Sequence, residues 1–150
     1  MAGYSGTPLP QKLGIKEGHR LAVLDAPAGY PAALGELPAG VRPERRLSKG
    51  RDYEVVLLFS RRREHLARAL PAALARLAPA GGLWVAWPKK ASGLETDLAF
   101  DSVQRLGLDL GVVDNKICAL DETWSGLRFV VRREDRAGWE TRRASLAPAS

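Results

Sequence analysis

Tyr53-Glu54-Val55-Val56-Leu57-Leu58-Phe59-Ser60 is a β-branched and aromatic run bounded by polar residues, the pattern of a strand buried on both faces at the centre of a parallel sheet. Directly after it, the segment from Arg62 to Ala78 places Leu66, Leu70, Leu74 and Leu77 on one face at helical spacing, with arginines between them. That spacing predicts an amphipathic crossover helix, which Pro71 should kink or split. Gly81-Gly82 is expected to end the helix and Leu83-Trp84-Val85-Ala86-Trp87 to begin the next strand. Strand, helix and strand form one right-handed unit with parallel neighbours.

Working outward, Arg20-Leu21-Ala22-Val23-Leu24-Asp25 reads as a first buried strand, closed by the turn Ala26-Pro27-Ala28-Gly29. Tyr30 to Leu37 allows about two helical turns before Pro38-Ala39-Gly40 breaks them. Val41 to Leu47 alternates apolar and charged residues but contains Pro43, which suits an edge strand. Downstream, Glu95-Thr96-Asp97 is expected to cap a helix running to Leu110 and stopped by Gly111. Val112 to Leu120 and Leu127 to Arg133 then read as strands joined in a hairpin. In this hairpin either Asn115 or Lys116 should point inward. The fold class expected is α/β, a mostly parallel sheet with a C-terminal antiparallel hairpin. Residues 1–12 are expected to be a flexible arm, 13–134 a single domain, and 135–150 a disordered tail.

A chain of 150 residues with 45% hydrophobic content suits one such core. The lone Cys118 excludes an intramolecular disulfide and reads as a buried apolar residue, and residues 1–6 lack the pattern of a signal peptide, so a reducing cytoplasm is expected. No run approaches the roughly 20 apolar residues of a membrane span, and no membrane partner is expected. Lys and Arg number 23 against 17 Asp and Glu, a net charge of +6 that favours anionic partners.

Lys12-Leu13-Gly14-Ile15-Lys16-Glu17-Gly18-His19-Arg20-Leu21-Ala22-Val23-Leu24-Asp25 resembles the entry to the first strand of S-adenosylmethionine-dependent methyltransferases. Leu77-Ala78-Pro79-Ala80-Gly81-Gly82-Leu83-Trp84-Val85 resembles the turn before their fifth strand, and the terminal hairpin matches the antiparallel pair that closes their sheet. The resemblance implies a three-layer Rossmann-like, methyltransferase-like fold. Trp87-Pro88-Lys89-Lys90-Ala91-Ser92-Gly93 and the stretches Asp114-Asn115-Lys116 and Asp121-Glu122-Thr123-Trp124-Ser125-Gly126 are similar to the bacterial domain of unknown function 3052 family, a resemblance that implies no activity.

Methyltransferases bind their cofactor on a glycine-rich turn after the first strand, where backbone amides approach the ligand. Here the turn is Asp25-Ala26-Pro27-Ala28-Gly29, with one glycine and a proline that lacks a donor. Where the resemblance calls for a ribose-binding carboxylate after the second strand, the chain has Leu47-Ser48-Lys49. On these departures no cofactor is expected, with S-adenosylmethionine as the alternative.

Ligands of such sheets bind beyond the carboxyl ends of the parallel strands. The residues gathered there are Asp25, Arg61, Arg62, Trp87, Lys89, Lys90, Asp121, Glu122 and Trp124. The cations suit a phosphate or carboxylate, Trp87 and Trp124 suit a ring, and Asp121 and Glu122 suit hydroxyls or amines. Trp84 reads as core. His19 and His65 read as isolated, so neither a nucleophile motif nor a metal site is expected. The function expected is a noncatalytic binding or regulatory domain that recognises an anionic small molecule or a protein partner at this edge. A divergent methyltransferase and a nucleic-acid-binding protein are the alternatives.

Overall fold

The computed structural model describes residues 6–146. Six strands, β1 (Leu21–Leu24), β2 (Pro43–Glu44), β3 (Tyr53–Phe59), β4 (Leu77–Pro88), β5 (Val113–Ala119) and β6 (Trp124–Val130), form one sheet in the order β2-β1-β3-β4-β6-β5. The first four are parallel; β6 runs antiparallel to β4, and β5 antiparallel to β6. The mostly parallel α/β sheet with its antiparallel C-terminal pair is therefore the architecture of this chain.

Alternation along the strands builds two cores. Leu24, Val56, Leu58, Val85 and Trp87 face α2 (Arg63–Leu74) and α3 (Phe100–Asp109), joined there by Trp139 of α4 (Trp139–Ala144). Val23, Val55, Leu57, Trp84 and Ala86 face the other way, onto Leu13, Ile15 and Leu34 of the N-terminal segment. Trp84 is core, and its Nε1 donates to the Leu13 carbonyl at 3.0 Å.

Several elements differ from expectation for physical reasons. The crossover helix ends at Leu74, with Pro71 inside its last turn, and Leu77 already belongs to β4. Gly81 and Gly82 are thus strand residues, not a helix stop. A Cβ on Gly81 would lie 2.8 Å from the Glu54 carbonyl oxygen, and one on Gly82 would lie 2.4 Å from Arg128 Nε. Backbone closes the Gly81 position and requires a glycine there, whereas Gly82 leaves room for the Arg128 guanidinium. Tyr30 to Leu37 yields only a single 3-10 turn at Ala32–Leu34, closed by Gly35 at φ 82°. Asp97 does not cap α3: its Oδ1 accepts from the Arg63 amide at 2.7 Å and so caps α2 across the loop. On the edge strand β5, Asn115 and Lys116 are both exposed, with a register shift between Asp114 and Lys116.

Within the arm expected over 1–12, Leu9–Lys12 form α1 with Pro10 buried, while residues 1–5 lie outside the described part. Within the tail expected over 135–150, α4 docks Trp139 at 0% exposure, its Nε1 donating to the Leu77 carbonyl at 2.8 Å. Residues 147–150 lie outside the described part.

Candidate functional site

The chain leaves β1 toward β2 on one side and leaves β3 toward β4 on the other, so a crevice opens between the carboxyl ends of β1 and β3. Asp25 follows β1 directly, Ser60 follows β3 directly, and His65 sits in the first turn of α2. His65 Nε2 lies 2.8 Å from Asp25 Oδ2, and His65 Nδ1 lies 2.7 Å from Ser60 Oγ. A serine, an imidazole and a carboxylate are thereby linked across the crevice.

Asp25 holds φ at 54°, the one left-handed non-glycine among the described residues. An aspartate tolerates that conformation better than most side chains, so the chain turns there without a glycine. Ser60 is 4% exposed, anchored by its amide on the Ala86 carbonyl at 2.9 Å, with Oγ also 3.2 Å from the Arg62 carbonyl.

Around this chain lies a cleft of roughly 460 Å³, within the range of small-molecule sites. Pro27, Phe59, Leu94 and Trp124 make its apolar walls, and Arg61 and Arg62 its basic rim. Phe59 is held between Tyr30, at a ring separation of 4.8 Å, and Trp124, edge-on at 5.1 Å. The loop carrying Leu94 is tied down where Thr96 Oγ1 donates to the Arg61 carbonyl at 2.7 Å and Arg61 Nε donates to the Glu95 carbonyl at 2.9 Å. Arg62 reaches Glu95 only at 4.0 Å and is largely solvated.

Of the residues expected here, Asp25, Arg61, Arg62 and Trp124 line this cleft. Trp87 does not: its parity on β4 turns it into the helix-side core at 5% exposure. Lys89 and Lys90 lie beyond the cleft lining, the Lys89 amide donating to the Thr123 carbonyl at 2.8 Å. Asp121 shapes the hairpin loop, with Oδ1 accepting from the Thr123 and Trp124 amides at 2.8 Å and Oδ2 from the Tyr30 hydroxyl at 2.7 Å. Glu122 is exposed and does not line the cleft. His65 is the residue that sequence reasoning missed, and Ser60, which follows β3 at the expected edge, was given no role there. His65 is not isolated; a serine ending a strand five residues before a histidine in the next helix is the signal that was present.

Strand β2 ends at Glu44, three residues before Leu47. Glu44, not the segment after Leu47, is the carboxylate on β2, and Arg20 Nε at 2.8 Å, the Tyr53 hydroxyl at 2.8 Å and Ser48 Oγ at 2.8 Å occupy it. Hydrogen bonding from Arg20 leads the causes that depress its pKa to about 2. Among the described residues no three His, Cys, Asp or Glu side chains cluster as a metal site, and no helix is long and apolar enough to cross a membrane.

No family model matches the chain, nor does any curated protein, so the likeness to the domain of unknown function 3052 family rests on the quoted residues alone. Solved structures do match. The DhpI-SAH complex superposes with a TM-score of 0.57 at 10% identity, covering 84% of this chain and 83% of that one. A SAM dependent methyltransferase from Aquifex aeolicus gives 0.53 at 14% identity, with 81% and 86% covered. Magnesium protoporphyrin IX methyltransferase from Synechocystis PCC 6803 with bound SAH gives 0.51 at 10% identity, with 82% and 78% covered.

The fold is therefore methyltransferase-like. This likeness corrects the expectation of a noncatalytic binding or regulatory domain, which rested on missing cofactor and acid–base signals. Asp25 turns the chain where a glycine was missed, and His65 stands where no acid–base group was expected.

Proposed function

We propose that the chain is a divergent S-adenosylmethionine-dependent methyltransferase whose reaction centre is the Asp25–His65–Ser60 chain between β1 and β3. The observation that carries this reading is the position of that chain, at the crevice where sheets of this topology bind ligands. The cleft suits the cofactor in its main parts. Phe59, Pro27 and Trp124 offer an apolar wall to a ring, and Arg62 a counter-charge to an amino-acid carboxylate. Glu44 is already engaged, so the ribose hydroxyls are left to other groups or to water. When bound, the cofactor supplies an electrophilic methyl group.

The protein's own part is to accept a proton from the methyl acceptor. With His65 neutral, Nε2–H donates to Asp25, and Nδ1 accepts from the Ser60 hydroxyl. Once His65 is protonated, Nδ1–H donates to Ser60 Oγ, whose hydrogen turns to the Arg62 carbonyl. Every hydrogen bond has a partner in both states, so proton uptake leaves no polar group orphaned. Asp25 orients the ring and stabilises the imidazolium, and Ser60 relays the proton from the cleft. An acceptor bearing a hydroxyl, amine or thiol suits this relay.

Isothermal titration with S-adenosylmethionine and S-adenosylhomocysteine tests the reading. Saturable one-site binding, weakened in Asp25→Ala and Arg62→Ala, is expected. Absence of binding by the folded wild type at millimolar ligand overturns it.

A further inference from the structure

A second cleft, of roughly 700 Å³, lies at the opposite, amino-terminal edge of the parallel strands. The N-terminal segment contributes Leu13, Lys16 and His19; Glu54 and Val55 come from the start of β3, Ala78–Gly81 from the start of β4, Lys116 from β5 and Arg128 from β6. It shares no residue with the cleft at the carboxyl edge.

Its charge is strongly one-sided. The sole carboxylate among its lining residues, Glu54, is already taken, accepting from the Arg20 amide at 2.5 Å and from Arg51 Nη1 at 2.7 Å. Among the described residues, Lys16, Lys116 and Arg128 have no carboxylate within ion-pair distance. The side-chain hydrogen bond of Arg128 runs to a neutral group, Asn115 Oδ1, at 3.3 Å.

Arg128 also occupies a costly position. Burial, with the like charge of Arg136, holds its pKa below the usual arginine value. A partly buried guanidinium without a carboxylate has lost hydration, which among the described residues the neutral Asn115 Oδ1 restores only in part. It can sit there because β4 presents bare backbone beneath it, the Gly82 Cβ position being 2.4 Å from Arg128 Nε. Val55, Leu13 and the Ala78-Pro79-Ala80 bulge supply an apolar wall beside the cations.

We propose that this amino-terminal cleft binds a small organic phosphate monoester, with the phosphate on Arg128, Lys116 and Lys16 and the organic body against Val55, Leu13 and Ala78–Ala80. A guanidinium fork and two ammonium groups match a dianion with several acceptor oxygens better than a lone carboxylate. The apolar wall separates such a ligand from free phosphate. The proposal is independent of the methyltransferase reading, since it uses neither its residues nor its edge.

Phenyl phosphate and inorganic phosphate are the probes, titrated by calorimetry and by amide chemical-shift mapping into the wild type, Arg128→Gln, Lys116→Gln and Arg62→Gln. Phenyl phosphate should bind one site more tightly than inorganic phosphate and shift amides of residues 13–16, 54–55 and 78–82. Its affinity should fall about tenfold or more in Lys116→Gln, which alters an exposed side chain of an edge strand, and in Arg128→Gln. No binding by the wild type at millimolar probe overturns the proposal, as does affinity retained in both variants. Affinity lost in Arg62→Gln but kept in Lys116→Gln assigns the phosphate to the other edge and also overturns it.

Discussion

At the scale of single residues, His65 has two ring nitrogens engaged by two groups of different character, a carboxylate and a hydroxyl. Only the imidazole in this trio can donate to Asp25 at one nitrogen while accepting a proton at the other, so the relay stops if an amide replaces it. His65→Gln should keep S-adenosylhomocysteine binding within a few-fold while methyl transfer falls by about 10²–10⁴, the usual worth of a general base. Separate measurement of cofactor affinity and single-turnover rate checks this split; loss of both together would mean that His65 only holds the fold. Glu44 makes a second prediction. Its pKa of about 2 lies below the ordinary value of 4.5, chiefly through the Arg20 hydrogen bond. A depressed folded-state pKa contributes stability that is complete above the unfolded value and is lost as pH falls from about 4.5 toward 2. Urea midpoints at pH 7 and pH 3 should therefore differ more for the wild type than for Glu44→Gln. The basic rim at Arg61 and Arg62 was legible in the sequence because charge runs beside strands are local patterns. The Asp25–His65 pair was not, because 40 residues separate its members and only the adjacency of β1 and β3 unites them.

At the scale of elements, the strands whose pattern is continuous, β1 and β3, lie where apolar runs place them, because a strand buried on both faces needs every side chain apolar. The start of β4 was hidden for the converse reason. Ala78-Pro79-Ala80-Gly81-Gly82 has little strand character, and it enters the sheet through a bulge that lets the β3–β4 register slip between Tyr53 and Val55. Gly107 poses a similar problem inside α3. A glycine in a helix interior costs about 1 kcal/mol relative to alanine, so its presence requires a packing reason. The reason is Phe129 of β6: a Cβ on Gly107 would lie 2.1 Å from its ring, and that ring is fully buried. Gly107→Ala should therefore destabilise by about 1–3 kcal/mol through overpacking, against the gain in helix propensity. Gly82→Ala meets instead the flexible end of Arg128, which can swing aside, and should cost less. Denaturant midpoints of the two variants check the order; a stabilised Gly107→Ala would show that α3 shifts freely on the sheet.

At the scale of the whole molecule, the two faces of the sheet are covered unequally. Three helices pack on one side, and a thin cover of α1, a 3-10 turn and extended chain packs on the other. The helical side is completed from the C-terminal segment. Composition argued for a tail there, since one tryptophan among charged residues makes no hydrophobic period. One large side chain nevertheless anchors the segment. Trp139 is fully buried, and Arg143 ties the same helix to Asp52 at 2.8 Å and to the Leu77 carbonyl at 3.0 Å, with 15% of its side chain exposed. Both contacts reach the paired starts of β3 and β4, so α4 closes the bottom of the parallel sheet. Trp139→Ala removes that anchor and leaves a cavity beside Leu77, which should cost about 3–5 kcal/mol. Deletion of residues 137–150 should lower stability by a similar amount while leaving Asp25, Ser60 and His65, at the far end of the sheet, in contact. Thermal melts measure the loss, and the His65 ring resonances of the truncated chain report the distant site. A tail without structural weight would leave the melting temperature of both variants at the wild-type value.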